Sequence, residues 1–176
     1  MPLFRLQTDE PQIDPNVFIA PTAAVIGNVS IGKDSSVWFN CVIRGDVAPI
    51  TIGEETNIQD LSILHVGVGH PLCIGNQVTV GHRCIVHGCT IEDNCMIGMG
   101  AIVMDGARIG RGSIVAAGSV VLENATFAPF SLLTGVPARV KETFEGIIGN
   151  RIRVPAKNYI HHAAVYRSSG SLTLIK

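Results

Sequence analysis

Residues 74–121 read IGNQVTVGHRCIVHGCTIEDNCMIGMGAIVMDGARIGRGSIVAAGSVV, with an aliphatic residue at nearly every sixth position. One step, from Val86 to Ile91, is five residues long. The same spacing extends toward the N-terminus through two insertions and gives seventeen repeats. Their aliphatic positions are Ile19, Val25, Ile31, Val37, Ile43, Ile52, Ile58, Leu64, Ile74, Val80, Val86, Ile91, Ile97, Val103, Ile109, Val115 and Val121. Four residues after each lies Ala, Val, Ser, Thr or Cys.

A period of six matches neither the 3.6-residue helix nor the two-residue strand. It is typical of a parallel β-helix built from hexapeptide repeats, in which three strand-and-corner units close one triangular coil. We therefore predict a single-domain, all-β solenoid of five to six coils over about residues 17–126. A C-terminal capping segment and α-helix should follow over about 139–168, with Pro155 as the first helical residue. The expected apolar stripe of that helix is Ala156, Tyr159, Ile160, Ala163 and Ala164.

Composition excludes several classes of function. The chain has 176 residues, 47% of them hydrophobic, which is enough for one buried core. The formal net charge is −1 without a basic stripe, so we expect no nucleic-acid partner. No apolar run approaches the roughly 20 residues of a membrane helix, and no leader segment is recognisable, so we expect a cytoplasmic protein. The five cysteines form no CxxC pair and are expected to be reduced and packed in the core.

Two histidines fall in one column of the predicted solenoid. The faces are numbered in order from Ile19, and each insertion is assumed to loop out and return on the next face. Leu64 and Val86 then lie on the second face one coil apart, and His65 and His87 follow them directly. Stacked strands are about 4.8 Å apart. Two imidazoles that close can bind one metal ion, because Zn–N bonds are about 2.0–2.1 Å.

His82 lies instead on the first face, a corner away from that pair. Five extended residues span up to roughly 17 Å, so His82 cannot readily reach an ion held by the other two in its own chain. A triangular prism packs naturally about a threefold axis, and in a homotrimer a neighbouring subunit would bring its His82 to the pair. Three His ligands with an open fourth position are typical of a catalytic zinc that binds water. Iron or cobalt would also suit imidazole ligands. The alternative is that these histidines merely line a polar surface.

Four neighbours of the histidines are further candidates. Asp60 occupies the same repeat position as His82, one coil earlier, and could accept a hydrogen bond from it. Gln59 could hydrogen-bond a zinc-bound hydroxide or its product. Arg44 occupies the column of His65, and it could form an ion pair with Asp46 or with a partner chain. Both a structural and a catalytic role remain open for this pair.

Three segments of the sequence carry a family resemblance. SVWFNCVIRGD (36–46), NIQDLSILH (57–65) and VTVGHRCIVHGCTIEDNCMIGMGAIVMDGA (78–107) together resemble the γ-class carbonic anhydrase family. GSVV (118–121) and GVPAR (135–139) also fit. The resemblance implies a left-handed β-helix, a homotrimer with zinc at each subunit interface, and reversible hydration of carbon dioxide to bicarbonate. Handedness follows from the resemblance and not from the period.

The resemblance also assigns roles to individual residues. It implies that His65 and His87 of one chain and His82 of the next bind zinc. It implies that Gln59 orients the zinc-bound hydroxide and that a tyrosine of the C-terminal helix, here Tyr159, approaches the pocket. The pair near the site and the interface would be Arg44 and Asp46.

Two departures from the family pattern concern proton export. Val47 stands where the archaeal type enzyme of the family has a glutamate, and the short loop VGVGHPLC (66–73) lacks the proton-shuttling glutamate that this enzyme has there. Losing both groups should slow hydration, which must release a proton in every turnover. One alternative function is a CoA-dependent acyltransferase of the hexapeptide type, or a related thioesterase, using a histidine as general base without metal. Stacked histidines argue against it, since a lone base needs no stacked partner. Another alternative is a trimeric, catalytically weak scaffold that retains zinc.

Overall fold

The computed structural model describes residues 2–144, 149–168 and 172. Its strands, numbered in chain order, stack on three faces. The first face contains β3 (Phe18–Ile19), β5 (Ser36–Val37), β7 (Asn57–Ile58), β10 (Thr79–Val80), β13 (Met96–Ile97), β16 (Ile114–Val115), β19 (Ser131–Gly135) and β20 (Ala138–Thr143). The second face contains β1 (Leu3–Phe4), β8 (Ile63–His65), β11 (Ile85–His87), β14 (Ile102–Val103) and β17 (Val120–Val121), together with the first parts of β4 (Ala24–Ile31) and β6 (Val42–Ile52), which continue around the corner onto the third face. The third contains β2 (Gln12–Ile13), β9 (Leu72–Ile74), β12 (Thr90–Ile91), β15 (Arg108–Ile109) and β18 (Thr126–Phe127).

The six-residue repeat fixes the register of these stacks. Val80 pairs in parallel with Ile58 on one side and Ile97 on the other. On the second face, Leu64 pairs with Val86. Because each inward aliphatic residue lies on the one before it, the repeat produces one continuous buried column per face. The predicted fold class, a left-handed parallel β-helix with a C-terminal helix, is confirmed.

Both insertions return the chain to the next face, as expected. After the first insertion, Ile52 pairs with Ile31, and after the second, Ile74 pairs with Ile52. The insertions nevertheless change which side chains point inward. Val47 and Val68 lie four residues after an inward aliphatic residue, yet both are exposed. The buried residue lies instead two positions before the next inward aliphatic residue. These buried residues are Ile50, Leu72 and, after the five-residue step, Cys89.

The solenoid is longer than the sequence pattern predicted. Seven parallel strands stack on the first face, and the ladder continues through Phe127 and Leu133 beyond the expected limit of 126. Both residues keep the spacing of six. Pro129 does not interrupt this ladder, because it lies in a corner between strands, where no ladder hydrogen bond is lost. At the other end, Leu3 pairs with Val25, outside the expected start at residue 17.

The C-terminal helix packs along the first face. Helix α1 (Gly149–Arg167) contacts β3, β5 and β10, while β20 pairs antiparallel with the last rung, β19. The expected capping of the open end therefore falls to β20. Pro155 lies inside the helix and does not begin it. Ala156 and Ala163 are buried and Tyr159 packs against the core, but Ala164 is exposed.

The predicted capping segment is thus only partly visible. Its residues 145–148 lie outside the described part of the chain. Among the helices in the part that is described, none combines the length and the apolar character needed to cross a membrane.

Candidate metal centre

His65 and His87 lie side by side on the second face. They are the last residues of β8 and β11, and the ladder pairs them directly. His65 Nδ1 and His87 Nε2 are 3.0 Å apart, and the ring centroids are 4.9 Å apart. The stacking predicted from the repeat therefore brings these two side chains together.

A carboxylate binds the outer nitrogen of each imidazole. His65 Nε2 lies 2.9 Å from Asp46 Oδ1, and His87 Nδ1 contacts Asp105 Oδ1. An ionised carboxylate only accepts hydrogen bonds, so each of these outer nitrogens must carry the proton. In the neutral imidazoles, the two inner nitrogens then face each other with lone pairs. Two acceptors at this distance repel unless a proton or a metal cation lies between them.

The donor set fits a metal ion. With bonds of about 2.05 Å, two nitrogens 3.0 Å apart subtend an angle of roughly 94° at a shared ion, close enough to the tetrahedral value of about 109° for small side-chain adjustments. Within the described ranges, however, no cluster of three or more His, Cys, Asp or Glu side chains is placed to hold a metal. One chain therefore offers two imidazole ligands and not three.

His82 lies on the first face, in the corner that follows β10. Its Nδ1 is 2.9 Å from Asp60 Oδ2, and the histidine side chain is 41% exposed. The carboxylate thus fixes one nitrogen and leaves Nε2 available. The predicted pairing of His82 with Asp60 is present in the structure, but His82 does not join the other two histidines within the chain.

An apolar groove of about 420 Å³ begins at His82 and runs along the first face. Its polar end contains Gln59, which is only 7% exposed and donates a 3.1 Å hydrogen bond to Asn57 Oδ1. Pro155 of α1 lines its edge. The apolar residues that form much of its wall include Met96, Met99, Ile114 and Ala116. Gln59 therefore lies on the same surface as His82, one rung earlier.

Arg44 and Asp46 form an ion pair beside His65. Arg44 Nη1 donates to Asp46 Oδ2, and Arg44 pairs with His65 across the ladder. Burial alone would raise the pKa of the Asp46 carboxyl. The hydrogen bonds from His65 and from its own backbone amide, together with the charge of Arg44, outweigh burial and lower that pKa. Asp46 is thus kept as an acceptor for His65.

Tyr159 of helix α1 packs against the first face, beside the residue that follows β5. Its ring packs edge-on against Trp38, with centroids 5.2 Å apart, and stacks on His162 at 5.6 Å. Burial, with a smaller contribution from the charge of Asp60, raises the pKa of the Tyr159 hydroxyl. The phenol therefore keeps its proton at neutral pH and can act as a hydrogen-bond donor on this face.

The sequence did not single out Asp105. It lies two residues after the inward Val103, in the corner after β14, and reaches back to the histidine of the preceding rung. The sequence did contain one signal, the glycine at position 88, which occupies the same corner one rung earlier. In the structure its φ is +45°. A Cβ there would collide with the Asp105 carboxylate, so this close approach requires glycine.

Comparison with known proteins identifies the family. The protein-family model "Bacterial transferase hexapeptide (six repeats)" matches residues 10–45 and 88–123, and the family model "Hexapeptide repeat of succinyl-transferase" matches residues 71–103. A carbonic anhydrase of Geobacillus kaustophilus is 43% identical, over 90% of this chain and 87% of its own length. The chain belongs to the γ-class carbonic anhydrase family. Its predicted family resemblance is thereby confirmed.

Two further relatives define the breadth of this family. "Gamma carbonic anhydrase 2, mitochondrial" of Arabidopsis thaliana is 45% identical over 96% of the chain, although the chain spans only 63% of that protein's length. A crystal structure described as a hexapeptide transferase family protein from Anaplasma phagocytophilum superposes with a TM-score of 0.89. It is 40% identical and covers 93% of this chain and 97% of its own. A relative described as a transferase thus shares this architecture.

Proposed function

We propose that this protein is a zinc-dependent carbonic anhydrase that hydrates carbon dioxide reversibly at the interfaces of a homotrimer. The observation that carries the proposal is the 3.0 Å approach of His65 Nδ1 and His87 Nε2, with a carboxylate on the other nitrogen of each ring. Neutral imidazoles held in this way present two lone pairs to one point. A divalent cation placed between the two rings satisfies both lone pairs at once.

The third ligand in this proposal is His82 of a neighbouring copy. Each protomer provides two imidazoles on its second face and one on its first. If the first face of one copy packs against the second face of the next, closing the ring completes three equivalent sites. Asp60 would hold the third imidazole as Asp46 and Asp105 hold the other two.

The surface chemistry of the three faces supports this packing. On the second face, Ile63 and Ile85 precede the stacked histidines and remain 38% and 41% exposed in the isolated chain. On the first face, the apolar groove beginning at His82 is also open. The third face is polar and carries the ion pair between Arg108 and Glu92. Burying the exposed apolar residues of the second face and the groove that α1 leaves open on the first, with the polar third face in water, is the favourable choice.

Bound zinc would lower the pKa of a coordinated water to about 7 and so supply hydroxide at neutral pH. The chain's own side chains would then position the reactants. Gln59 lines the same groove as His82, where its amide can hydrogen-bond the attacking oxygen or the bicarbonate product. Tyr159 keeps its proton and can donate to a developing negative charge. The ion pair of Arg44 and Asp46 fixes His65.

A second candidate function is metal-independent acyl transfer. The dyad of His82 and Asp60 resembles a general base with its orienting carboxylate, and it opens onto a groove large enough for an acyl group. The relative described as a hexapeptide transferase family protein fits this alternative. It leaves the arrangement of His65 and His87 without a purpose, so we place it second.

The experiment that separates the candidates measures metal, mass and activity on one sample. We expect anaerobically purified protein to contain about one zinc, iron or cobalt ion per chain, to sediment as a trimer and to hydrate carbon dioxide. His65→Ala should lose the metal, while His161→Ala, an exposed histidine on α1, should keep it. A metal-free protein that transfers acyl groups in the presence of a chelator would refute the proposal. A zinc-loaded trimer without hydration activity would reduce it to a scaffold.

A further inference from the structure

We propose that Asp105 is a positioning residue that sets the metal affinity of His87, and that Gly88 makes this contact accessible. The inference rests on the metal site proposed above. Asp105 Oδ1 contacts His87 Nδ1, and the two side chains are 28% and 33% exposed. Partial burial makes this hydrogen bond stronger than one in open water, since fewer water molecules compete for either group.

Asp105 is one of several corner Asn and Asp residues in this solenoid whose side chains lie over a glycine of the preceding rung. Asn76 and Asp93 occupy corners of the third face, and each extends its Oδ1 over a glycine of the preceding rung. There each oxygen accepts a backbone N–H, that of Glu54 at 2.8 Å and that of Asn76 at 2.7 Å. These corner side chains therefore act as caps that join one rung to the next.

Asp105 has the same posture on the second face but a different partner. Its Oδ1 lies over Gly88, as the other corner oxygens lie over their glycines, and it meets an imidazole nitrogen. Its backbone oxygen accepts the amide of Asn124 at 2.8 Å, which anchors the corner to the following rung. Asp105 therefore occupies a corner position of the capping kind, but its carboxylate holds the proton on Nδ1 of His87. With Nδ1 protonated, Nε2 is the only nitrogen of that ring that can bind metal.

The first test compares two corner substitutions. Asp105→Asn removes the charge of the acceptor, and outer carboxylates of this kind contribute about 10–100-fold in metal affinity. We expect Zn²⁺ and Co²⁺ to bind Asp105→Asn about 10–100-fold more weakly in competition with a chelator. Asp93→Asn makes the same chemical change at a corner without a histidine and should bind like wild type. Equal affinities in Asp105→Asn and wild type would overturn the proposal.

The second test needs no variant at Asp105. In metal-free wild-type protein, ¹⁵N NMR of labelled histidine should show His87 protonated on Nδ1, with its signal assigned by its loss in His87→Gln. A proton on Nε2 would overturn the proposal even if Asp105→Asn does not fold. If wild-type protein binds no metal at all, the proposed function fails. The tautomer of His87 would still decide whether Asp105 holds this ring.

Discussion

Two adjacent residues of β8 should respond to truncation in different ways. Leu64 is fully buried in the second-face column, whereas Ile63 points outward and is 38% exposed. Truncating a buried leucine to alanine removes its packing and leaves a cavity, at a cost of about 2.7–5.0 kcal/mol. For a protein of this size, each kcal/mol lowers Tm by about 2–4 °C. Taking about 3 kcal/mol, we expect Leu64→Ala to lower Tm by about 6–12 °C.

Ile63→Ala should act on assembly and not on the core. If the second face packs against a neighbour, the truncated side chain loses contacts in every interface of the trimer. We expect a raised dissociation constant for the trimer and a Tm that depends on protein concentration. Leu64→Ala should lower Tm at every concentration.

The assays are thermal unfolding followed by circular dichroism over a range of concentrations, and sedimentation velocity of the same samples. A Tm for Leu64→Ala within about 1 °C of wild type would refute the inward column on which the fold depends. A trimer of unchanged stability in Ile63→Ala would refute the assignment of the second face to the interface.

Three other substitutions or reagents test separate parts of the site. Gln59→Ala should keep bound zinc and lower the hydration rate, as measured by stopped flow; an unchanged rate would remove Gln59 from the mechanism. Val47→Glu, next to Asp46, should raise hydration if proton release limits turnover, and no change would locate the limit elsewhere. Of the five cysteines, only the exposed Cys73 should react with a thiol reagent in native protein at pH 8, because burial raises the pKa of Cys41 to about 11. Rapid modification of two or more thiols before unfolding would contradict the packing of the core.

The period of six was sufficient to predict the middle of the fold. Because an inward residue must lie on its counterpart in the next rung, the spacing placed Leu64 over Val86, and therefore His65 beside His87, once each insertion was assumed to return on the next face. The ends were harder to predict. Phe127 keeps the spacing but differs from the small aliphatic pattern, and the strand containing Leu3 is joined to the next by a segment without the repeat.

The sequence could predict those contacts of the site that join residues at the same repeat position in neighbouring rungs. Asp60 shares the repeat position of His82 one rung earlier, and their contact followed from that. Asp105 and His87 belong to neighbouring rungs but occupy different repeat positions, so the column rule does not pair them. Their contact depends on a side chain reaching across Gly88, which spacing does not encode. Completion of the metal site by a second chain depends on subunit packing, which remains a prediction.

The most direct test of the shared site mixes two defective proteins. His82→Ala lacks the ligand that a protomer gives to its neighbour, and His87→Ala lacks one that it keeps. Neither homotrimer can form a complete site. When equal amounts are unfolded and refolded together, about one quarter of the interfaces should join an intact His65 and His87 pair to an intact His82. We predict that zinc content and hydration activity recover to about one quarter of wild type in the mixture. No recovery in trimers shown to contain both variants would contradict a site shared between subunits.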